Sequence, residues 1–187
     1  GYDLFLESPP GWYSGFDDLS AQGGANSAST GLMLEDGQIN IAISFTPPQV
    51  MTLAGAEMTV ILRVVSQSDE ARIMQYELPL IVEEIIELNV DLESSFTSIT
   101  TGTTLLLQYT IENVGNTNLE LNPRMQLPIG WTQNTPLEDL TLNWTESRNF
   151  VISLTAETNA RSGQISFIFD SNQGSWSNSK DVEVFAL

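Results

Sequence analysis

"LLLQYTIEN", residues 105–113, sets Leu105, Leu107, Tyr109 and Ile111 at every second position. Successive side chains of a strand point to opposite faces, so this spacing predicts a β-strand with one apolar face. The same period recurs along the chain. "INIAISF" (39–45) aligns Ile39, Ile41, Ile43 and Phe45, and "MTVILRVVS" (58–66) aligns Met58, Val60, Leu62 and Val64. "NFVISLT" (149–155) does so through Phe150, Ile152 and Leu154, and "ISFIFDS" (165–171) and "DVEVFAL" (181–187) complete the set. Helical period is nearly absent, with a short turn at "LEDLTL" (137–142) as the one segment that suits it. Turn signals separate the runs: "EDGQ" (35–38), "NVGN" (113–116), "NARSGQ" (159–164) and "SNQGSWSNS" (171–179). The small polar residues of "DDLSAQGGANSASTG" (17–31) predict a long surface loop. Short strands with turns at this spacing indicate an all-β chain built of antiparallel β-sandwiches.

A second pattern divides the chain. "SPPGW" (8–12) returns as "LPIGW" (127–131), and placing Trp12 on Trp131 aligns Pro9 with Pro128 and Gly11 with Gly130. "LEDGQINIAISFTPP" (34–48) then falls on "LNWTESRNFVISLTAET" (142–158), and "AGAEMTVILRVVSQS" (54–68) on "SGQISFIFDSNQG" (162–174). Glycine admits the backbone angles of the turn, and tryptophan would cap one end of a core. The seam is expected within "ELPLIVEEIIELNVDLES" (77–94), which has no Gly/Ser tract and so reads as a short, stiff junction. Two domains follow, residues 1–86 and 87–187. Only "YDLFLE" (2–7) leads into the first motif, whereas a strand near "LNVDLES" and the strong one at 105–113 precede the second. The first sandwich is therefore expected to lack its two opening strands. Its uncovered face would be closed either by upstream sequence or by a strand inserted from a neighbouring chain.

This order resembles that of a known group of domains. "YTIENVGNTNLELN" (109–122), "LPIGW" and the run from Leu142 through Gly163 to Ser171 carry the likeness, as do "SPPGW" and residues 33–68 in the first copy. They resemble the NEW3-type domain found beside the catalytic domains of some secreted glycosidases. They are also similar to CARDB-like and related immunoglobulin-like repeats of large archaeal and bacterial surface proteins. The resemblance implies two tandem immunoglobulin-like β-sandwiches that serve as spacers, adhesive units or wall components. The second copy departs from the family at Trp144 and Thr145, where a glycine-containing turn is common.

The composition excludes several functions. The 187 residues carry 24 acidic and 6 basic side chains, a net charge of −18, and Lys180 is the one lysine. Nothing here would neutralise phosphates, so nucleic acid and an anionic membrane surface are not expected partners. The charge reads as a solvated, self-repelling surface. Cysteine is absent, so neither disulfides nor thiol chemistry are available. No apolar run reaches the roughly 18–20 residues of a membrane helix, and no signal-peptide pattern is evident. The opening "GYDLFLES" reads as a processed chain or an excerpt of a longer one.

Histidine is also absent, which removes the usual general base and the commonest zinc ligand. A glycosidase needs two opposed carboxylates on a cleft, and Asp17, Asp18, Glu35 and Asp36 qualify only by adjacency. The same four are the best calcium candidates, because hard cations prefer oxygen ligands. Neither "FDDLS" (16–20) nor "LEDGQ" (34–38) has the alternating spacing of a calcium loop, so solvated turns are the preferred reading. Trp12, Tyr13 and Phe16 could form an aromatic sugar platform; the preferred roles are core capping for Trp12 and surface packing for the other two. Trp176, in a polar stretch, is the surface-contact candidate. Asn143-Trp144-Thr145 is the one N-x-S/T glycosylation acceptor.

These readings converge on a non-catalytic extracellular or cell-surface module, structural and adhesive, within a larger surface or filament-forming protein. The alternative is a carbohydrate-binding accessory module of a secreted hydrolase. Calcium aside, no cofactor is expected. The expected partners are neighbouring domains of the same polypeptide, neighbouring subunits or a surface polysaccharide.

Overall fold

Every regular element among the described residues is a β-strand, as the period-2 runs predict. The computed structural model describes residues 1–17, 26–48, 52–93 and 98–185. Two units emerge, Gly1–Glu83 and Glu84–Leu187.

Unit 1 contains β1 (Tyr2–Glu7), β2 (Tyr13–Phe16), β3 (Ser27–Ser29), β4 (Ile43–Thr46), β5 (Glu57–Ser66) and β6 (Ile73–Ile81). Four of them form one sheet in the order β3-β1-β5-β6, while β2 and β4 pair separately. Unit 2 contains β7 (Leu88–Leu92), β8 (Ser98–Thr100), β9 (Thr104–Asn113), β10 (Leu119–Gln126) and β11 (Trp131–Gln133). It continues with β12 (Leu140–Leu142), β13 (Ser147–Ala156), β14 (Gly163–Ser171) and β15 (Gly174–Phe185). Its two sheets run β12-β10-β14-β15-β8 and β11-β13-β9-β7.

The two orders are one order, with members missing from the first. Strand β1 holds the place of β10, β2 that of β11, β3 that of β12, β4 that of β13, β5 that of β14 and β6 that of β15. The register agrees residue by residue. Leu6 faces Leu62 as Met125 faces Phe167, and Tyr13 faces Thr46 as Thr132 faces Thr155. Counterparts of β7, β8 and β9 are lacking among the described residues of unit 1. The chain is thus two tandem immunoglobulin-like β-sandwiches, and the described residues of the first lack counterparts of three strands rather than the expected two, because the short β8 also forms in unit 2.

The cores follow from this difference. In unit 2 the inner face of β9 (Leu105, Leu107, Tyr109, Ile111) meets Leu119, Leu121, Ile165, Phe167 and Phe169 of the opposite sheet. Tyr109 stands edge-on to Phe167 at 4.6 Å between ring centroids, and Phe167 lies 4.3 Å from Phe169. Edge-to-face packing of this kind adds about 0.5–1.5 kcal/mol per pair beyond area burial. Among the described residues of unit 1 the buried hydrophobic cluster is smaller: Leu4, Leu6, Phe16, Ala28, Val60 and Val64.

Several local expectations are corrected. The "LEDLTL" segment is no helical turn: Leu140–Leu142 is β12, because pairing with β10 buries Leu142. The predicted loop 17–31 ends in β3, whose small side chains let it lie beside β1. The run 39–45 is strand only over Ile43–Thr46, the stretch with a hydrogen-bonding partner in β2. Residues 171–179 are mostly strand, since β14 and β15 meet in a tight turn at Ser171–Gly174. One pair is parallel, β8 on β15.

A shared turn explains why no glycine is needed at Thr145. Asp36 (φ 61°) and Thr145 (φ 64°) hold the same place in the two copies, both in the left-handed region. The following N–H closes each turn at 3.0 Å, Gly37 onto the Leu34 carbonyl and Glu146 onto that of Asn143. A β-branched residue there is strained by roughly 1–2 kcal/mol. Thr145→Gly should therefore raise the thermal midpoint of unit 2 by a few degrees, read by calorimetry. An unchanged or lower midpoint would show that the threonine side chain compensates its strain.

The difference in core size yields a second expectation. Expressed alone, residues 84–187 should unfold cooperatively as a monomer, whereas residues 1–83 should self-associate. Sedimentation and chemical denaturation check both, and a monomeric, cooperative 1–83 would contradict the incomplete-core account.

Candidate functional site

The Pro-x-Gly-Trp unit is a clamp across one end of each sandwich. In unit 2, Gly130 takes φ +78°, and a Cβ there would come within 2.6 Å of the Ala160 backbone. That approach lets the Gly130 carbonyl accept from Glu157 N–H (2.9 Å) and the Ile129 carbonyl from Arg161 N–H (3.0 Å). Trp131 is then buried in the core and donates its indole N–H to the Arg161 carbonyl at 3.1 Å. In unit 1, Gly11 keeps the angle (φ +82°), and Trp12 N–H closes onto the Pro9 carbonyl at 3.0 Å. The clamp is looser there. Trp12 is half-buried outside the core cluster, and its indole N–H is buried without a partner.

The expected roles of the neighbouring aromatics change accordingly. Trp12 does not join the described core of its unit. Phe16, expected on the surface, is buried in it, because β2 turns alternate residues inward and Ser14 and Phe16 share that face. Tyr13 points the other way and is 74% exposed. Trp176 lies in β15 rather than a loop and packs partly against the unit 2 core, its six-membered ring 3.2 Å from a Cβ position on Gly174.

The structure places the described carboxylate candidates on two separate stretches of unit 1. Asp17 follows β2 and is held by its backbone N–H on the Ala42 carbonyl (3.0 Å), while Glu35 and Asp36 sit in the exposed turn before β4. Asp18 lies outside the described residues. No three acidic, histidine or cysteine side chains among the described residues converge on one point. Asn143 is exposed on its turn, with its side-chain amide on Glu146 at 2.8 Å. The Asn143 backbone N–H, then Arg148, hold the Glu146 carboxyl below its usual range. Arg124, then Ser175, do the same for Asp170. Any stabilisation from these pairs is present above the ordinary carboxylate pKa and is lost as pH falls through the lowered value. Both carboxyls are solvent-exposed, so screening keeps the effect small. A shallow depression beside Asp170, lined also by Glu120, Asn122 and Asp139, is open and already internally hydrogen-bonded.

Among the described residues, the feature that sets unit 1 apart is the exposure of its inner face. Strand β4 has one neighbour, whereas its counterpart β13 has two. Ile43 and Phe45 are half-buried, while the equivalent Ile152 and Leu154 are fully buried. On the opposite sheet, Met74, Tyr76, Leu78 and Leu80 share one face of β6, and Leu78 and Leu80 touch the core. Met74 and Tyr76 remain 45% and 51% exposed. In unit 2 the counterpart of Tyr76 is Asn178, whose amide donates to the Val90 carbonyl of β7 at 2.6 Å. The exposed tyrosine thus stands where β7 would lie. Sequence reading anticipated the counterparts of β7 and β9 as missing but not that of β8, and it did not single out Met74 and Tyr76, whose alternation with Leu78 and Leu80 was the available signal.

Trp131→Ala should cost unit 2 roughly 3–5 kcal/mol, and Trp12→Ala in unit 1 markedly less, because only the former leaves a core cavity. Denaturant midpoints of the two transitions check this, and equal shifts would contradict the looser clamp.

No protein-family model matches the chain, and no curated protein matches it. Among solved structures it is similar to a mutant alpha-2-macroglobulin of Salmonella, at 11% identity and a TM-score of 0.44, over 85% of this chain and 10% of that one. It is similar to native alpha-2-macroglobulin of E. coli at 16% identity and a TM-score of 0.44, over 82% of this chain and 9% of that one. A Porphyromonas gingivalis protein of unknown function is similar at 14% identity and a TM-score of 0.30, over 98% and 84% of the two chains. The chain spans about a tenth of the macroglobulin chains it matches.

Proposed function

We propose that the protein is a non-catalytic structural module of a larger extracellular or cell-surface assembly, which extends and spaces its neighbours and packs against them. The observation that carries this reading is the open face of unit 1. Natural sheets avoid exposed apolar faces and unpaired edges unless something binds there. Half-exposed Ile43 and Phe45 on one sheet, and Met74 and Tyr76 on the inner face of the other, therefore support a unit made to be completed by adjoining polypeptide. The exposed Asn143 turn is compatible with glycan attachment outside the cell, and the surplus of acidic groups favours a well-solvated surface. The resemblance to NEW3-type and CARDB-like repeats points the same way. In adhesive or filament-forming use, the contacts would be those of neighbouring domains or subunits.

A second reading has an observation of its own. Glu7, Ser8, Trp12, Tyr13, Ser14 and Asn26 line a depression in unit 1. The exposed Tyr13 ring is a surface on which a sugar could stack, which favours the carbohydrate-binding accessory role.

The two readings part in solution. The structural module should leave chromogenic glycosides and peptides at background turnover and should migrate unretarded through gels containing neutral polysaccharides. Retardation abolished by Tyr13→Ala would establish the accessory role instead, and turnover abolished by one Asp or Glu substitution would refute both.

A further inference from the structure

We propose that Asn143 carries an N-linked glycan on its side-chain amide nitrogen, and that Thr145 is kept for the hydroxyl which this attachment requires. The inference rests on the extracellular reading above and deepens it by naming the modified atom and the residue that licenses it.

Three observations carry it. The first is a strain that the fold does not need. Thr145 takes φ 64°, in the left-handed region that a β-branched residue avoids. Its counterpart in unit 1 is Asp36, a residue type that tolerates this region. Glycine would serve the turn at Thr145 without the penalty. A backbone outlier of this kind points to a role outside the fold.

The second is how little the Thr145 side chain does in the folded unit. The residue is exposed, so its methyl group fills no core. Its hydroxyl meets no hydrogen-bond partner among the described residues, and the residue holds the turn through its backbone alone, with its N–H on the Asn113 carbonyl at 3.2 Å.

The third is presentation. Asn143-Trp144-Thr145 is the one N-x-S/T acceptor of the chain, and both Asn143 and Thr145 face solvent. Between them Trp144 is half-buried, and its N–H donates to Asn118 Oδ1 at 3.0 Å. The Glu146 carboxylate accepts from the Asn143 backbone N–H (2.9 Å) and from its Nδ2 (2.8 Å). That nitrogen has two protons and gives up one, so the other stays available to Glu146. In the transfer, Nδ2 bonds to the anomeric carbon of a lipid-phosphate-linked oligosaccharide. The bond from that carbon to the phosphate oxygen breaks, the carrier phosphate leaves with the electron pair, and the amide proton passes to solvent. The matching turn of unit 1, Leu34-Glu35-Asp36, offers neither amide nor hydroxyl, so one such glycan per chain is expected.

The test is the mass of the peptide that spans Asn143, in protein isolated from the cells that make it. The peptide should be heavier by the mass of one or more sugars, with fragmentation placing them on Asn143. Asn143→Gln and Thr145→Val should each abolish the increment, whereas Thr145→Ser, which keeps the hydroxyl, should retain it. Thr145→Val keeps the β-branched shape, so its loss of modification would trace to the hydroxyl. Circular dichroism of the same samples confirms that each variant folds. An unmodified Asn143 in the parent protein overturns the proposal, as do sugars placed on a hydroxyl instead or an increment that survives Thr145→Val. The cell fraction that yields the protein tests the extracellular reading separately. Unmodified protein recovered from the cell surface or medium would overturn the glycan and leave that reading standing.

Discussion

The sandwich of unit 2 depends on β9 being paired along both edges while one of its faces is fully buried. Its neighbours β7 and β13 satisfy the backbone, and Leu105, Leu107, Tyr109 and Ile111 fill the space against the opposite sheet. The packing is tight enough to strand a polar atom. The Tyr109 hydroxyl is buried without a partner, and desolvation pushes its pKa up to about 12. An unsatisfied buried hydroxyl costs about 1–3 kcal/mol, which the ring offsets through its apolar area and its edge contact with Phe167. Without β9, the facing residues of both sheets lose their cover at once. Unit 1 shows that condition in the half-exposed Ile43 and Phe45.

A second device holds β9 in place from its end. Asn113 and Asn116 are buried, and their side chains bind backbone rather than solvent. Asn113 donates to the Thr117 carbonyl (2.7 Å) and accepts from Gly115 N–H (3.1 Å), while Asn116 accepts from Ile85 N–H (2.6 Å). A side chain at Gly115 would collide with the Ile85 and Glu87 backbone, so that position must be glycine. This polar knot ties the approach to β7 to the β9–β10 turn. With the Trp131 clamp at the Gly130 corner, it leaves unit 2 restrained at several points of its frame. Unit 1 keeps only the Trp12 turn, and there the indole N–H has no partner.

These differences bear on function through cooperativity. A unit with a complete core opens as a whole, whereas one with an uncovered face gains stability whenever a strand is added to it. Strand addition couples the folding of such a unit to whatever supplies the strand. The ion pairs, such as Arg63–Glu7 and Arg148–Glu146, are solvent-exposed and add little to this balance.

What the sequence determined by itself was periodic. Alternation in 105–113, 149–155 and 165–171 specified strands and their inward faces, since side-chain direction in a strand is set by parity alone. The two Pro-Gly-Trp units specified the repeat. Tertiary structure decided whatever depends on a partner. Leu140–Leu142 is a strand because β10 lies beside it, and residues 39–42 are not because β2 reaches only Ile43–Thr46. Phe16 went inside because β2 turns it and Ser14 towards the core, whereas Trp12 precedes the strand, on the turn closed onto Pro9, and stayed half out. The alternation of Met74 and Tyr76 with Leu78 and Leu80 was legible, but their exposure depends on what lies opposite. Their pattern is that of a core strand, and only the absence of a strand opposite leaves them in solvent.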